Sequence, residues 1–222
     1  MTRPSGTPAP QTWPWREFLA NRAAVTIAVV VGSLAIALVV VSLRRPELQT
    51  FAPSSTQPEP AGARLVGPTT FTVDARDPTR LQFFSFSVGG LVTDPGPLDW
   101  DLAFRRFQVI VNGGEGFGGL AGIISLGEVS FDSVTVLPAE GYGGTESLPG
   151  DSITAAVEDW YAYSFVTHLL SPRQGVYGFR SADGRYGKLR FLSYYCPGAL
   201  PGCVTFEYVY QGAGGRQLLA SE

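Results

Sequence analysis

The longest apolar stretch of the chain runs from Ala23 to Leu43, where 21 residues include no charged side chain and no proline. As a helix, this stretch is about 31 Å long, close to the thickness of the hydrocarbon core of a bilayer. A helix also satisfies its own backbone hydrogen bonds, as lipid requires. The alternative is a cleaved signal peptide, whose apolar core is shorter, roughly 7–15 residues. The run ends in Ser42-Leu43-Arg44-Arg45 without a small-residue cleavage site, so the pattern favours an uncleaved transmembrane helix at 23–43.

From residue 69 onward, apolar and polar positions alternate, which is typical of antiparallel strands with one buried face. The longest such face is formed by Val204, Phe206, Tyr208 and Tyr210. We therefore expect a mostly β domain of half-buried antiparallel strands behind one N-terminal transmembrane helix.

Local signals refine this prediction at three places. The apolar phase changes at Arg105-Arg106, which predicts a β-bulge. The only helix predicted within the domain spans Asp151 to Trp160, with Asp151 or Ser152 as its cap. Asp183-Gly184 predicts a two-residue hairpin turn between two strands.

These patterns divide the chain into four segments. Residues 1–22 form a tail, 23–43 the transmembrane helix, 44–68 a proline-rich linker, and 69–222 the β domain. In the tail, Trp13 and Trp15 are expected at the membrane interface, where tryptophan rings are enriched. The alternative is an unstructured tail in which the two tryptophans have no such role.

One face of the apolar helix carries small residues at a spacing of four, Ala24, Ala28 and Gly32. Small residues at this spacing let the backbone of a second helix approach closely in lipid. The face therefore predicts a helix partner in the membrane, although alanine is common in anchors and such spacings also arise by chance.

Charge separates the two ends of the chain. Through Arg45 there are five arginines and one glutamate, a net charge of +4, whereas the rest holds 11 basic and 18 acidic residues, a net charge of −7. An acidic domain without a basic stripe argues against nucleic-acid binding.

Two cysteines, Cys196 and Cys203, flank the short loop Pro-Gly-Ala-Leu-Pro-Gly. Two cysteines alone do not supply the four ligands of a structural zinc site. A disulfide between them is predicted, the alternative being two free thiols. Because disulfides persist outside the cytoplasm, the pair places the C-terminal domain on the extracytoplasmic side and the N-terminus in the cytoplasm.

Between Phe71 and Gln211, short motifs join aromatic strand residues to glycine-containing turns. The densest block, from Val176 to Leu189, contains the run Arg180-Ser181-Ala182-Asp183-Gly184-Arg185-Tyr186. The other motifs are Trp100-Asp101-Leu102-Ala103-Phe104, Asn112-Gly113-Gly114, Trp160-Tyr161-x-Tyr163, Ser171-Pro172, Ser193-Tyr194-Tyr195 and Thr205-Phe206-x-Tyr208-x-Tyr210-Gln211.

In their order and spacing, these motifs resemble the HmuY family of bacterial haem-binding proteins. The resemblance covers the outer domain but neither the tail nor the helix, and it implies a two-sheet antiparallel fold. Family members that bind haem hold the iron with two axial side chains, His or Met. This chain has one histidine, His168, and one methionine, Met1, so the usual ligand pair is missing.

No cofactor is therefore expected, with haem as the alternative. His168 is the candidate haem ligand, either alone or with a second copy of the chain; the competing interpretation is a structural histidine beside Leu169-Leu170. No metal site is predicted.

The chain is not expected to be an enzyme. A single histidine is a poor basis for a catalytic triad. Asp99 and Asp101 lie two residues apart on one strand, a pairing suited to acid–base chemistry. A surface salt bridge from this pair to Arg105 is the simpler expectation.

The sequence thus predicts a membrane-anchored accessory or scaffold subunit of a larger membrane protein complex, with a non-catalytic outer domain. An energy-transducing complex, photosynthetic or respiratory, is one kind of host. The expected partners are other membrane subunits and lipid, and the expected location is the bacterial inner membrane with the domain in the periplasm. The alternative is haem binding or relay at the cell surface.

Overall fold

A computed structural model describes residues 21–43, 47–55, 59–148 and 150–219, which fall into an N-terminal helical unit and a β-rich unit beginning at Glu47. Helix α1 spans Arg22–Leu43. The Asn21 side chain accepts a hydrogen bond from the Ala24 N–H at 3.3 Å, as an N-cap does. Residues 22–41 have a mean hydropathy of 2.9, enough by length and composition to cross a membrane. Trp13 and Trp15 lie outside the described residues.

The larger sheet of the β-rich unit is antiparallel throughout, with the strand order β1-β13-β12-β11-β6. The predicted face of β13 is buried along its whole length. In sheet order, the strands are β1 (Leu65–Asp74), β13 (Leu200–Gln211), β12 (Tyr186–Cys196), β11 (Tyr177–Arg180) and β6 (Gly122–Ser125).

The second sheet is also antiparallel and has the order β3-β2-β4-β5. Two small hairpins, β7–β8 and β9–β10, the short helix α2 and a 3-10 helix at Pro197–Ala199 complete the regular structure of the described residues. The elements are β2 (Gln82–Ser85), β3 (Gly90–Val92), β4 (Leu102–Arg105), β5 (Gln108–Val111), β7 (Glu146–Leu148), β8 (Asp151–Ile153), α2 (Ala155–Glu158), β9 (Tyr161–Tyr163) and β10 (Leu170–Pro172).

Aromatic side chains join the two sheets. The Phe84 ring of β2 packs 4.8 Å from Phe71 of β1 and 5.2 Å from Phe206 of β13, measured between ring centroids. Tilted and edge-on contacts of this kind add to the free energy gained by burying the rings. The predicted mostly β, two-sheet antiparallel fold is confirmed.

Three local predictions need correction. The phase change at Arg105-Arg106 is a hairpin turn, not a bulge: Arg105 pairs with Gln108, and Arg106 has a positive φ of 56°. The predicted helix over 151–160 shrinks to α2, because residues 151–153 instead pair with β7. The Asp183-Gly184 hairpin exists, but its loop has three residues, since the Ser181 N–H donates to the Arg185 carbonyl.

The predicted linker at 44–68 is also too long. Strand β1 begins at Leu65, and the segment 47–55 already runs along the β-rich unit. Thr50 forms a parallel bridge with Tyr195, and the Phe51 N–H donates to the Tyr195 carbonyl at 3.0 Å. The backbone of β12 near Tyr195 thus pairs with residues of the predicted linker.

Candidate functional site

His168 lies in the loop that joins β9 to β10. The loop is closed by hydrogen bonds from the Ser164 N–H to the Leu169 carbonyl, 2.9 Å, and from the His168 N–H to the Ser164 carbonyl, 2.8 Å. His168 has a positive φ of 55°, a left-handed conformation in which histidine is enriched among non-glycine residues. This backbone geometry holds the imidazole at the exposed tip of the hairpin.

The Tyr163 hydroxyl lies 2.5 Å from Nδ1 of His168. A hydrogen bond to one ring nitrogen fixes the orientation of an imidazole and, when Nδ1 carries the proton, leaves Nε2 as a ligand atom. The Tyr163–His168 pair is thus the chemically distinctive feature of the hairpin, and the sequence motif Tyr161-x-Tyr163 did not reveal it.

The loop that carries this pair also exposes apolar side chains. Phe165 is 84% exposed, Val166 58% and Tyr163 44%. The Phe165 ring packs against Tyr163 with the ring centroids 5.1 Å apart. We call the loop from Tyr163 to Leu169 the hairpin tip.

The base of the hairpin is firmly attached to the domain. Trp160, fully buried, donates from Nε1 to the Phe107 carbonyl at 2.8 Å and packs against Phe191. On the other strand, the Leu170 N–H donates to the Tyr195 hydroxyl at 2.8 Å.

Tyr195 also binds the segment that follows α1 in the chain. Its backbone pairs with Thr50 and Phe51, and the nearby Ser193 hydroxyl donates to the Gln49 carbonyl. The same end of β12 therefore holds both the hairpin and the first described residues of the β-rich unit.

The disulfide Cys196–Cys203 follows at once, with an S–S distance of 2.09 Å, and confirms the predicted bridge. It closes the turn between β12 and β13.

Two of the surface grooves on the domain are lined in part by the base of the β9–β10 hairpin, one by Tyr161 and the other by Pro172. One, of about 370 Å³, is lined by Arg105, Asp151 and Tyr161, among others. The other, of about 660 Å³, is lined by residues that include Glu128 and Arg190. His168 lines neither groove, so the histidine and the concave surfaces are separate features.

Asp101 has a structural position that the sequence did not indicate. Its carboxylate accepts hydrogen bonds from the N–H groups of Phe86 and Ala182, each at 2.7 Å. Burial raises the pKa of Asp101 to about 6, against the opposing effect of these two donors. The predicted salt bridge to Arg105 is wrong: Arg105 hydrogen-bonds to Gln108 at 2.8 Å and lies 3.9 Å from a carboxylate oxygen of Asp151.

Asp99 is exposed and accepts a hydrogen bond from the Gly96 N–H. The two carboxylates therefore accept hydrogen bonds from different backbone N–H groups, which is typical of a structural role.

The residues present offer an axial ligand for only one face of a haem. The Tyr163–His168 pair offers an oxygen and an imidazole, both of which bind iron in haem proteins. The sequence has no second histidine, and its one methionine, Met1, lies outside the described residues. Among the described residues, no three His, Cys, Asp or Glu side chains are grouped so as to hold a metal ion.

On α1, the small residues Ala24, Ala28 and Gly32 all lie within the helix, at the predicted spacing of one turn. A Cβ built on Gly32 would meet no atom within 4 Å. Whether a second helix packs on this face stays a prediction.

A sequence model described as the HmuY protein family matches residues 77–208. No curated protein matches the chain in sequence. Three of the solved structures that match have TM-scores of 0.52–0.54 and sequence identities of 17–18%, so they show the fold alone.

One of these structures, from Bacteroides vulgatus, is described as a HmuY-like haem-binding protein; its TM-score is 0.54 at 18% identity, covering 68% of this chain and 97% of that one. The apo form of a HmuY analogue from Tannerella forsythia gives 0.52 at 17% identity, covering 64% and 95%. A protein of Bacteroides fragilis described as a lipoprotein gives 0.52 at 18% identity, covering 64% and 88%.

Proposed function

We propose that this chain, which belongs to the HmuY family, is an accessory or scaffold subunit of a larger membrane protein complex. In this proposal, α1 anchors the chain in the bilayer and the β domain lies on the extracytoplasmic side as a binding module without catalysis. An energy-transducing complex, photosynthetic or respiratory, is one kind of host that suits such a subunit.

The observation that carries the proposal is α1 itself. Its 22 residues cover about 33 Å as a helix, and the 21 that follow Arg22 are uncharged. The apolar helix, together with the similarity to a lipoprotein, indicates membrane association or a surface location. The disulfide supports the extracytoplasmic side, because such bonds persist in oxidising compartments. The bacterial inner membrane and a cytoplasmic N-terminus are parts of the proposal.

The departure from the ligand pair of haem-binding family members favours a role other than haem collection. One histidine and one methionine do not give a single domain two axial ligands of these types. The domain offers a two-sheet scaffold with an exposed hairpin tip.

The helix face formed by Ala24, Ala28 and Gly32 provides a test. Leucine at Ala28 and Gly32 would fill the surface that allows close approach of a partner helix. We expect the double variant to be depleted from the native complex after mild detergent extraction. Ala37→Leu, about 180° away around the helix, is the matched control and should remain associated. Equal association of both variants would remove this face from the proposal.

Haem binding is the second candidate, favoured by the hydrogen-bonded Tyr163–His168 pair and by the haem-binding description of the Bacteroides vulgatus structure. Bound haem would bring its own iron chemistry, and the pair would orient it from one face. Titration of the full chain with haemin should then give a Soret band that His168→Ala or Tyr163→Phe weakens. Phe165→Ala, in the same loop, is the control. A Soret band unaffected by all three changes would remove this site as the haem ligand.

A further inference from the structure

The β9–β10 hairpin carries no charged side chain and exposes apolar side chains at its tip. From Tyr161 to Pro172, twelve consecutive residues include no Asp, Glu, Lys or Arg. The exposed side chains at its tip are apolar or aromatic, led by Phe165, Val166 and Tyr163. Such a surface loses little hydration energy when it leaves water, and burying it is favourable.

Polar groups within the tip bind one another. The Tyr163 hydroxyl is paired with His168, and the N–H groups of Ser164 and His168 donate to carbonyls of the same loop. The Thr167 N–H donates to the Ser164 hydroxyl at 3.3 Å. The tip can therefore enter a less polar medium without leaving these donors unpaired.

A short stretch of chain links α1 to the segment of the β-rich unit that binds Tyr195, the residue to which this hairpin is hydrogen-bonded. Three residues, 44–46, separate Leu43 from Glu47, so four residue steps of extended chain cover at most about 14 Å. Three residues later, Thr50 pairs with Tyr195, whose hydroxyl accepts the hydrogen bond from Leu170.

Leu170 pairs in turn with Tyr163 at the base of the tip. The end of the domain that follows the anchor in the chain is thus the end that carries the exposed apolar loop.

We propose that the hairpin tip inserts into the interfacial layer of the bilayer that α1 spans. Aromatic side chains with one polar end, such as Tyr163, favour this layer, and Phe165 and Val166 would reach toward the acyl chains. The partner is lipid, and the domain would then be held to the membrane at two points. This inference rests on the proposed anchor, and it is independent of whether other subunits bind.

The test uses the full chain reconstituted into phosphatidylcholine nanodiscs without other proteins. Because the two cysteines of the chain form a disulfide, Val166→Cys supplies one free thiol for an environment-sensitive fluorophore. Leu120→Cys is the matched control, since Leu120 is 59% exposed and Val166 58%. Leu120 lies near the opposite end of β12, where its N–H donates to the carbonyl of Ala182 in the turn before that strand.

The label at 166 should be quenched by nitroxide-bearing lipids and protected from aqueous iodide, and the label at 120 should behave in the opposite way. Adding Phe165→Glu to the 166-labelled chain should abolish the lipid quenching, because a carboxylate resists entry into the interface. Each of these changes is at an exposed position, so the fold is expected to persist.

Iodide quenching at 166 as strong as that at 120 would overturn the inference. Protection of the 166 label from both quenchers would also overturn it, because the tip would then contact protein. Co-elution of the chain with the nanodisc is measured separately. If the chain co-elutes but the label shows no lipid quenching, only the insertion of the tip is disproved and the anchor stands. If the chain does not co-elute, the anchor and this inference are both disproved.

Discussion

The two ends of strand β12 differ sharply in chemistry. Tyr186 and Tyr195 are nine residues apart, about 30 Å along the strand. At the Tyr186 end, the turn after β11 is held by a buried carboxylate, because the Ala182 N–H donates to Asp101. An ion pair of 3.2 Å between Arg185 and Asp183 lies in the same turn.

At the Tyr195 end, apolar contacts and neutral hydrogen bonds predominate, and an ion pair of 2.6 Å between Arg76 and Asp74 lies beside Cys203, the backbone partner of Asp74. This end holds the disulfide, the segment that follows α1 and the uncharged β9–β10 hairpin. Phe165 and Val166 project there without being covered by the domain.

The two ends therefore differ in role: one stabilises the fold, and the other offers surface for interaction. At the Asp101 end, a buried carboxylate accepts hydrogen bonds from two backbone N–H groups, which stabilises the fold. The Tyr195 end leaves apolar surface exposed, which contributes little to the fold and is available for membrane contact. Changes at the two ends should therefore have different consequences.

The largest expected effect is that of Asp101→Ala. It leaves the N–H groups of Phe86 and Ala182 buried without an acceptor, which should lower the free energy of unfolding by roughly 2–6 kcal/mol. Urea unfolding of the full chain in mild detergent measures this loss. Asp99→Ala, at an exposed carboxylate with one backbone bond, should cost less than about 1 kcal/mol. Equal losses for the two variants would contradict the structural role of Asp101.

The same end should also give the domain a pH dependence. Burial raises the pKa of Asp101 to about 6, so the folded state binds its proton more tightly than the unfolded chain does. The resulting stabilisation is complete below about pH 4 and is lost as the pH rises through 6, a change of about 3 kcal/mol.

Asp101→Asn removes this titration. The variant should therefore become more stable relative to the wild type as the pH rises from 4 to 7. If the difference in unfolding free energy stays constant over this range, or changes in favour of the wild type, the two backbone donors keep the carboxylate charged.

At the other end, loss of the disulfide should have an intermediate effect. Replacing Cys196 and Cys203 by serine releases a short closed loop, which in the chain-entropy model costs about 2–2.5 kcal/mol. Urea unfolding of the double variant measures this, and its pH dependence should stay that of the wild type, because Asp101 is untouched. A changed pH profile would show that the two ends are coupled.

The smallest effect on stability is expected at the hairpin tip. Phe165→Ser removes a ring that is already mostly in water, so the unfolding free energy should change by about 0.5 kcal/mol or less. Phe84→Ser, at a fully buried ring, is the contrasting variant and should cost about 3 kcal/mol or more. A large loss at Phe165 would show that the tip belongs to the core.

The features that the sequence predicted correctly are those that depend on neighbouring residues. The apolar run, the alternation along β13 and the Cys196–Cys203 pair each lie within one short segment. The hairpin at Asp183-Gly184 was also predicted, although its loop is one residue longer. In each case, the physical signal and the structure it specifies are local.

The features that were missed depend on partners far apart in the chain. Asp101 binds the N–H of Ala182, 81 residues away, and Ser193 binds Gln49, 144 residues away. Their residue types do not reveal these contacts, which exist only after the two sheets have assembled. The Tyr163–His168 pair is closer in sequence, but it needs the left-handed conformation of His168 that the loop provides.

The measurement that tests the proposed function most directly is the mass at which this protein elutes after native membranes are dissolved in a mild detergent. A membrane-anchored accessory subunit should elute with a large multi-subunit particle, whose other components would identify the host complex. Elution near 23.7 kDa plus bound detergent would contradict membership in a stable complex.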